Sequence, residues 1–276
     1  MNVIRIDDGH DPRLSDYAGV GTPAILTERR LLIAEGRFVV RRLLDSARIT
    51  TRSLLLNDAG VKGMADVIEA ARPEVAVYVA SADVITVATG FNMHRGCLAV
   101  AERPAALSLV DALATSQFVV VLERVVDADN VGSVFRTAEA FGLDAVLLSP
   151  GCCDPFYRKA IRTSSGAALV VSFAAAAPWP EALDMMRERG FVIVAMTPDG
   201  GAADIGEFVA THAAHGKIAV LLGTEGHGLT DEALSRADVR LRIPMTGALD
   251  SLNIATAAGI TLHRLHEVRH NRLVGR

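Results

Sequence analysis

The stretch QFVVVLERVVDADNVGSVFRTAEAFGLDAVLLS, residues 117–149, carries the pattern that decides the fold class of this chain. It begins with a nearly continuous apolar run, residues 117–123, and ends with another, residues 144–149. Between the two runs, apolar residues such as Val131 and Phe135 recur at helical spacing. Apolar strands joined by a helix are typical of a parallel sheet that is buried on both faces.

The same alternation of strands and helices continues toward the C-terminus. Further apolar runs typical of buried strands lie at residues 169–173, 191–196, 217–223 and 239–244. Helical segments separate most of these runs. The pattern therefore predicts a doubly wound α/β domain with a parallel sheet over residues 117–276.

The N-terminal part of the chain predicts a second, smaller α/β domain over residues 26–104. Strands are predicted at residues 53–57, 74–80 and 96–102, and helices over residues 31–44, near residues 62–71 and after Ser81. Residues 1–25 lack strong periodicity and predict an irregular N-terminal arm. Pro104 and the weakly patterned small residues after it make residues 105–116 the candidate linker.

Composition limits the classes of protein to consider. Of the 276 residues, 50% are hydrophobic, which predicts a large core and argues against disorder. The longest nearly apolar run, residues 167–177, is too short to cross a bilayer, so we expect a soluble, cytoplasmic protein without a membrane segment. The three cysteines include no CxxC pair, so neither a disulfide framework nor a zinc site is predicted. For the adjacent Cys152 and Cys153, burial as small hydrophobic residues is favoured over a redox role.

The net charge of −4 makes nucleic-acid binding depend on local patches. One patch is the segment 28–52, which carries seven arginines against three acidic residues. Charge alone leaves open the alternative of a solvated helix face.

In open parallel sheets, ligands bind beyond the carboxyl ends of the strands, and three loops there are unusual. In the first, Asn130 is a natural N-cap, and Arg136 lies on the polar side of the helix that follows. A cation in this position could meet a phosphate or a carboxylate, with a solvated arginine as the alternative.

The second loop, LLGTEGHGLTDE at residues 221–232, has three glycines in six residues around Glu225. It matches neither the dinucleotide nor the P-loop fingerprint, and a plain glycine turn stays open. The third loop lies in IPMTGALDSLNIATAAGITLH, residues 243–263, where Asp250 or Ser251 is predicted to cap the following helix. Capping explains only one of the three polar side chains in DSLN.

Together the three loops resemble the motifs of the SpoU-type RNA 2′-O-ribose methyltransferases of the SPOUT superfamily. The matching residues are Asn130-x-Gly132-x-x-x-Arg136 with AEAFG, then LLGTEGHGL, then IPM and DSLNIATAAGI. The resemblance covers about residues 117–268. More loosely, residues 33–44 and 90–104 resemble the ribosomal-protein-like RNA-binding domain often fused ahead of it.

The resemblance implies transfer of a methyl group from S-adenosylmethionine to a ribose 2′-hydroxyl, on a domain tied into a deep trefoil knot. It implies cofactor binding by Thr197, Gly223, Ile243 and Leu252, with Gly223 left bare to make room for the bent cofactor. It implies a catalytic group of Asn130, Arg136, Glu225, Ser251 and Asn253, in which Glu225 and Asn130 orient Arg136. Because a guanidinium keeps its proton at neutral pH, we weight Arg136 toward stabilising the alkoxide and binding phosphate, with a general-base role left open.

The resemblance also implies an RNA partner, a homodimer formed through the knotted domain, and no metal. RNA phosphates are expected at Arg29, Arg30, Arg37, Arg41, Arg158, Lys159 and Arg162. Ribosomal RNA is favoured over tRNA by the N-terminal domain, with tRNA as the alternative. Two other classes remain: an RNA-binding protein of this fold without catalysis, and a metabolic enzyme that binds a small nucleotide.

Overall fold

The structure, a computed structural model, describes residues 3–20, 22–70, 74–93, 96–211, 216–247 and 250–274. The chain divides into two compact units. Unit 1 comprises Met1–Ala105 and Asp154–Val170, and unit 2 comprises Ala106–Cys153 and Val171–Arg276.

Unit 1 is built on a five-stranded sheet. Its strands, numbered in chain order, are β1 (Val3–Ile6), β2 (Leu31–Glu35), β3 (Thr51–Leu56), β4 (Ala76–Ala80) and β5 (Cys97–Glu102). Its helices are α1 (Pro23–Glu28), α2 (Arg37–Leu44), α3 (Asp58–Gly63), α4 (Ala65–Ala70), α5 (Ala82–Thr89) and α8 (Arg158–Thr163), and short 3-10 helices lie at Pro12–Tyr17 and Ala167–Leu169. The sheet order is β1-β4-β3-β5-β2, in which β4 runs parallel to β1 and β3, and β5 runs antiparallel to β3 and β2.

The predicted N-terminal arm is wrong, because this segment is part of unit 1. Strand β1 pairs in register with β4, and Leu14 and Tyr17 are buried in the core of the unit. The Tyr17 hydroxyl lies 2.9 Å from the Ser53 hydroxyl, and burial raises the pKa of the tyrosine. Short strands and 3-10 turns carry little periodicity, which explains why the sequence pattern did not reveal them.

The helix predicted over residues 31–44 is also corrected. Its first five residues form β2, and the helix begins only after Gly36, whose φ of +93° turns the chain. The apolar residues of β2 and those of α2 follow each other closely in the sequence, so together they resemble the pattern of a single helix. The other predicted elements of unit 1 are confirmed at β3, β4, β5 and α5, whereas the helix near residues 62–71 is two short helices, α3 and α4, and Ala71 lies outside the described residues.

Unit 2 contains a seven-stranded sheet. Its strands are β6 (Phe118–Glu123), β7 (Ala145–Leu148), β8 (Ser172–Ala175), β9 (Phe191–Met196), β10 (Ala203–Asp204), β11 (Lys217–Gly223) and β12 (Val239–Arg242). Its helices are α6 (Leu109–Thr115), α7 (Ala128–Ala140), α9 (Glu181–Glu188), α10 (Ile205–Thr211), α11 (Asp231–Ser235) and α12 (Ile254–Val274). The strand order is β10-β12-β9-β11-β6-β7-β8, and all its pairs are parallel.

The parallel α/β fold predicted for the C-terminal part is therefore confirmed. One face of the sheet packs in a core with α6, α9 and α11, through residues such as Leu113 and Met186. Helix α7 buries Val131, Val134 and Phe135 and contacts α12, which also contacts β11. Because both faces are covered, the strands are apolar throughout, and this is the pattern that made them visible in the sequence.

Three boundaries in this region differ from the prediction. The proposed linker, residues 105–116, contains helix α6, which buries Leu109, Ala112 and Leu113 against the sheet. The strand predicted at residues 169–173 lies at β8 instead. Residues 154–170, predicted within the C-terminal domain, belong to unit 1, where α8 contacts β2.

Within the described part of the chain, no helix is both long enough and apolar enough to cross a membrane.

Candidate functional site

The candidate functional cleft of unit 2 lies where four adjacent strands end. Strands β12, β9, β11 and β6 are parallel neighbours, so their carboxyl ends lie at one edge of the sheet. The loops after β9, β11 and β12 enclose a cleft of about 710 Å³. The sequence patterns had singled out the loops after β11 and β12, and the fold places both at this edge beside the loop after β9.

The four residues predicted to bind the cofactor all line this cleft: Thr197, Gly223, Ile243 and Leu252. Glu225, Ser251 and Asn253 from the predicted catalytic group line it as well. Apolar side chains from Leu222, Met245 and Ile254 form much of the remaining wall.

The glycine-rich loop folds back tightly on itself. Gly228 donates its backbone N–H to the Thr224 carbonyl at 3.0 Å, and Gly226 and Gly228 have φ values of +83° and +69°. A Cβ on Gly223 would overlap the backbone of Gly228 and Leu229. Gly223 is thus required by the close approach of its own loop, which is a reason separate from the predicted one, that a side chain there would obstruct the cofactor.

Asn253 joins three parts of the site. Its side-chain Nδ2 donates to Asn130 Oδ1 at 3.0 Å and to Glu225 Oε1 at 2.5 Å. Its Oδ1 accepts from the backbone N–H of Ala255 at 2.9 Å and of Thr256 at 3.3 Å. One amide group therefore caps α12 and ties the start of α12 to the first turn of α7 and to the loop after β11.

These contacts correct two predicted helix caps. Helix α7 is capped by Asp127, whose carboxylate accepts from the N–H groups of Asp129 and Asn130, so Asn130 already lies in the first turn. Helix α12 is capped by Asn253 rather than by Asp250 or Ser251. In each helix a polar residue near the predicted cap makes the capping hydrogen bonds: Asp127 in place of Asn130, and Asn253 in place of Asp250 or Ser251.

Arg136 stands apart from this network within its own chain. Its side chain is exposed on α7, and it makes no hydrogen bond or ion pair with the part of the chain that the structure describes. Within one chain, Asn130 and Glu225 bind Asn253 and make no hydrogen bond with Arg136, so their orienting of Arg136 stays a prediction. Ser251 lines the cleft with an exposed side chain and likewise stays outside the hydrogen-bond network.

Glu123 supports the cleft from behind, and the sequence pattern did not single it out. It ends β6, is 1% exposed, and accepts three hydrogen bonds. The donors are Trp179 Nε1 at 2.8 Å, the Thr230 backbone N–H at 2.9 Å and the Thr230 hydroxyl at 2.8 Å. Thr230 in turn caps α11 at the end of the glycine-rich loop, so this carboxylate anchors that loop to the sheet. An acidic residue closing an apolar strand was the available signal.

The basic residues predicted to meet RNA lie in unit 1, and most of them have partners there. Arg41 forms an ion pair with Asp66 at 2.6 Å, which lowers the pKa of that carboxyl to about 2. Arg158 lies over the Phe91 ring at 4.0 Å and pairs with Glu35 at 3.1 Å.

Arg29 donates to the Ser15 carbonyl at 3.0 Å. The side chains of Arg30 and Arg37 are exposed, and those of Lys159 and Arg162 are half-buried. Arg162 also pairs with Glu35, at 3.7 Å. Internal contacts therefore occupy much of the predicted basic surface, and the exposed Arg30 and Arg37 are the cations most available to a ligand.

In the described part of the chain, the cysteines form no disulfide, and the acidic, cysteine and histidine side chains form no cluster that could bind a metal. All three cysteines are free thiols. Burial raises the pKa of the Cys97 thiol to about 12 and also raises that of Cys152, whose Sγ donates to the Leu122 carbonyl at 3.3 Å. No group of three or more His, Cys, Asp or Glu side chains that could hold a metal ion occurs among the residues described.

Comparison with known proteins gives a consistent set of similarities. The family model described as the SpoU rRNA Methylase family matches residues 117–263. The chain is 42% identical over 275 residues to a Mycobacterium tuberculosis protein named an uncharacterized tRNA/rRNA methyltransferase, a match covering 98% of this chain and 94% of that one.

Two further proteins resemble the whole chain. One is the 23S rRNA (guanosine(2553)-2′-O)-methyltransferase RlmP of Bacillus subtilis, 25% identical over 261 residues, covering 95% of this chain and 98% of that one. The other is the AdoMet-bound crystal structure of an rRNA methyltransferase from Sinorhizobium meliloti. It superimposes with a TM-score of 0.81 at 26% identity, covering 97% of this chain and 98% of that chain.

Proposed function

Because the chain belongs to the SpoU rRNA methylase family and is an RNA methyltransferase that uses S-adenosylmethionine, we propose that it methylates a ribose 2′-hydroxyl. Ribosomal RNA is the proposed substrate. The name of the Bacillus subtilis relative supports both points, since it specifies 23S rRNA and a 2′-O position. The Mycobacterium relative is named for tRNA and rRNA together, so tRNA is the alternative substrate.

The cleft in unit 2 suits this cofactor. Its volume of about 710 Å³ lies within the range of small-molecule sites, about 300–1,000 Å³. Apolar walls at Leu222 and Ile243 suit a purine ring, and the glycine-rich loop allows close approach of backbone groups to the ligand. When bound, S-adenosylmethionine supplies a methyl group carried on a positively charged sulfur.

The residues at the mouth of the cleft would position the RNA hydroxyl. Asn253 holds Asn130 and Glu225 in fixed orientations, which leaves the Asn130 amide N–H and the second Glu225 oxygen available to the ribose. Ser251, exposed beside them, would contact the nucleotide. Fixing the attacking oxygen in line with the methyl group accounts for much of the rate enhancement, because orientation alone lowers the barrier substantially.

Arg136 would complete the site from a second copy of the chain. Its exposed side chain lies outside the hydrogen-bonded trio of its own chain, although the family motif includes it. We place it in the partner's cleft of a homodimer formed through a trefoil-knotted unit 2. There a protonated guanidinium would stabilise the negative charge that develops on the 2′-oxygen as it attacks the methyl carbon. The bond between the sulfur and the methyl group would break, S-adenosylhomocysteine would leave, and the hydroxyl proton would pass to solvent water.

Unit 1 would recognise the RNA through its exposed arginines, and the enzyme would act in the cytoplasm, where its RNA substrates are. Arg30 and Arg37 are the cations best placed to bind phosphate, since their side chains are exposed. Arg41 and Arg158 would contribute less, because internal carboxylates already pair with them.

The observation that carries the proposal is the Asn253 network at the mouth of the cleft. The test is transfer of tritium from labelled S-adenosylmethionine to ribosomal RNA purified from cells lacking the enzyme. Methylation of the ribose makes the adjacent phosphodiester resistant to alkali, which distinguishes it from methylation of a base. We expect the Asn253→Ser variant, whose hydroxyl still caps the helix but cannot bridge to Asn130 and Glu225, to lose about 100-fold in kcat.

The control is Asn92→Ser, the same change at an exposed position of unit 1. Alkali-sensitive product would overturn the 2′-O assignment, and full activity of Asn253→Ser would overturn the site. Binding of RNA without transfer to either ribosomal RNA or tRNA would favour the catalytically silent alternative.

A further inference from the structure

Helix α2 of unit 1 exposes an aromatic side chain. Val39, Val40 and Leu43 of this helix are buried, whereas Phe38 is 62% exposed. Beside it lies a cavity of about 340 Å³ lined by Gly36, Arg37, Phe38, Val39, Arg162 and Ser165, which we call the Phe38 pocket. Exposing a large aromatic ring to water is unfavourable, and a ring that borders a cavity is available to a ligand.

Cationic side chains surround the Phe38 ring. The Arg42 guanidinium lies 5.8 Å from the ring centroid and donates to the Ser165 carbonyl at 3.1 Å, which holds it in place. Arg37 and Arg162 line the pocket itself. The surface therefore combines one flat apolar group with three guanidinium groups.

The charges of this pocket are not balanced internally. Glu35, which is 4% exposed, is shared by Arg158 at 3.1 Å and Arg162 at 3.7 Å, so one carboxylate faces two guanidinium groups. The Arg37 side chain is exposed and forms no ion pair with the described residues. A net positive charge is thus left at the pocket, and an anionic ligand would complement it.

We propose that the Phe38 pocket binds one unpaired nucleotide of the RNA substrate, with the base stacked on the Phe38 ring and the flanking phosphates bound by Arg37 and Arg162. This inference rests on the proposed RNA substrate and adds to it a structural class: the RNA presents a single-stranded, looped or bulged nucleotide to unit 1. A paired base within an A-form helix has both faces stacked and cannot reach the ring, whereas an unpaired base can.

The test measures binding of the full-length protein to a single-stranded oligoribonucleotide of about 12 nucleotides, and to the same strand in a duplex, by fluorescence anisotropy. Removal of one stacking ring by Phe38→Ala is expected to weaken binding of the single strand about tenfold, and binding of the duplex less than about twofold. Phe38→Trp retains a flat ring and is expected to keep the affinity. Because Phe38 is exposed, neither change leaves a cavity in the core.

The matched control is Val87→Ala, which removes another exposed apolar side chain of unit 1, 54% exposed on α5. Equal losses for the single strand and the duplex, or an unchanged affinity of Phe38→Ala for the single strand, would overturn the proposal. An equal loss in Phe38→Trp would overturn it too and indicate a shape-specific contact, such as a protein partner. These results are independent of whether the cleft in unit 2 methylates ribose, because that is measured by alkali resistance of the labelled product.

Discussion

In the cleft, the side chain of Asn253 binds three separate segments of the chain: the starts of α7 and α12 and the loop after β11. Its residue type alone is compatible with a helix cap or with a ligand contact, and the sequence pattern placed the cap at Asp250 or Ser251 instead. The fold decides its role by bringing Asn130 and Glu225, which are 123 and 28 residues away in the chain, within hydrogen-bond distance of one amide. A side-chain amide has both donors and an acceptor, so it can serve the helix and the site together.

Glu123, at the end of β6, also holds distant parts of the chain together, and the substitution Glu123→Gln tests this role. In Glu123→Gln, an amide NH2 group replaces one of the two carboxylate oxygens. This NH2 group cannot accept a hydrogen bond, so the Trp179 or the Thr230 donor that faces it loses its acceptor. We expect a loss of about 1–3 kcal/mol in the free energy of unfolding, because a buried donor is left unsatisfied. The loosened Thr230 end of the glycine-rich loop should also weaken binding of S-adenosylmethionine.

Denaturant unfolding and titration calorimetry with S-adenosylmethionine measure the two effects. Glu188→Gln, at an exposed position on α9, is the control and should change neither quantity. If Glu123→Gln loses stability but binds the cofactor as the wild type does, Glu123 has only a structural role. Wild-type stability together with wild-type affinity would contradict its role as an anchor of the loop.

Secondary-structure elements were predictable in proportion to how uniformly they are buried. Strands β6, β9 and β11 lie between two helical layers, so their apolar runs stand out against polar flanks. Strand β2 and helix α6 were missed because their patterns do not stand out from their surroundings. The apolar residues of β2 run on into those of α2, and α6 is a short helix that follows the segment after Pro104. Periodicity detects an element only when neighbouring segments differ in pattern.

The glycine-rich loop after β11 has a compact conformation that depends on Gly223, and the substitution Gly223→Ala tests this dependence. The added methyl group would overlap the backbone of Gly228 and Leu229, so the loop must move. We expect binding of S-adenosylmethionine, measured by calorimetry, to weaken by at least about tenfold, since the loop forms one wall of the cleft. Gly200→Ala is the matched control, because a Cβ there meets no atom within 4 Å. Wild-type affinity in Gly223→Ala would mean that the loop can adopt another conformation at little cost.

At the scale of the whole molecule, the position of Arg136 predicts how two chains cooperate. If Arg136 acts in the partner's cleft, a hybrid dimer of Arg136→Ala and Asn253→Ser keeps one intact site. We expect such hybrids, co-expressed with different tags and purified through both, to show about half the wild-type kcat per dimer. Each variant alone should be nearly inactive.

The control for subunit pairing is a dimer that carries both substitutions in one chain and none in the other. If Arg136 acts in the partner's cleft, this dimer has no intact site and should be nearly inactive. The reverse pattern, with an inactive hybrid and a half-active control, would place Arg136 in the cleft of its own chain.

The sequence by itself determined the parallel α/β character of unit 2, its family and therefore its cofactor, and the residues from which the cleft is built. These properties depend on local burial patterns and on short motifs, both of which are written along the chain. Only the tertiary structure decided that Asn253 rather than Ser251 caps α12, that Gly223 is bare because its own loop passes over it, and that Glu123 anchors this loop. Those roles depend on contacts between residues far apart in the chain, and the strand order at the sheet edge brings such residues together.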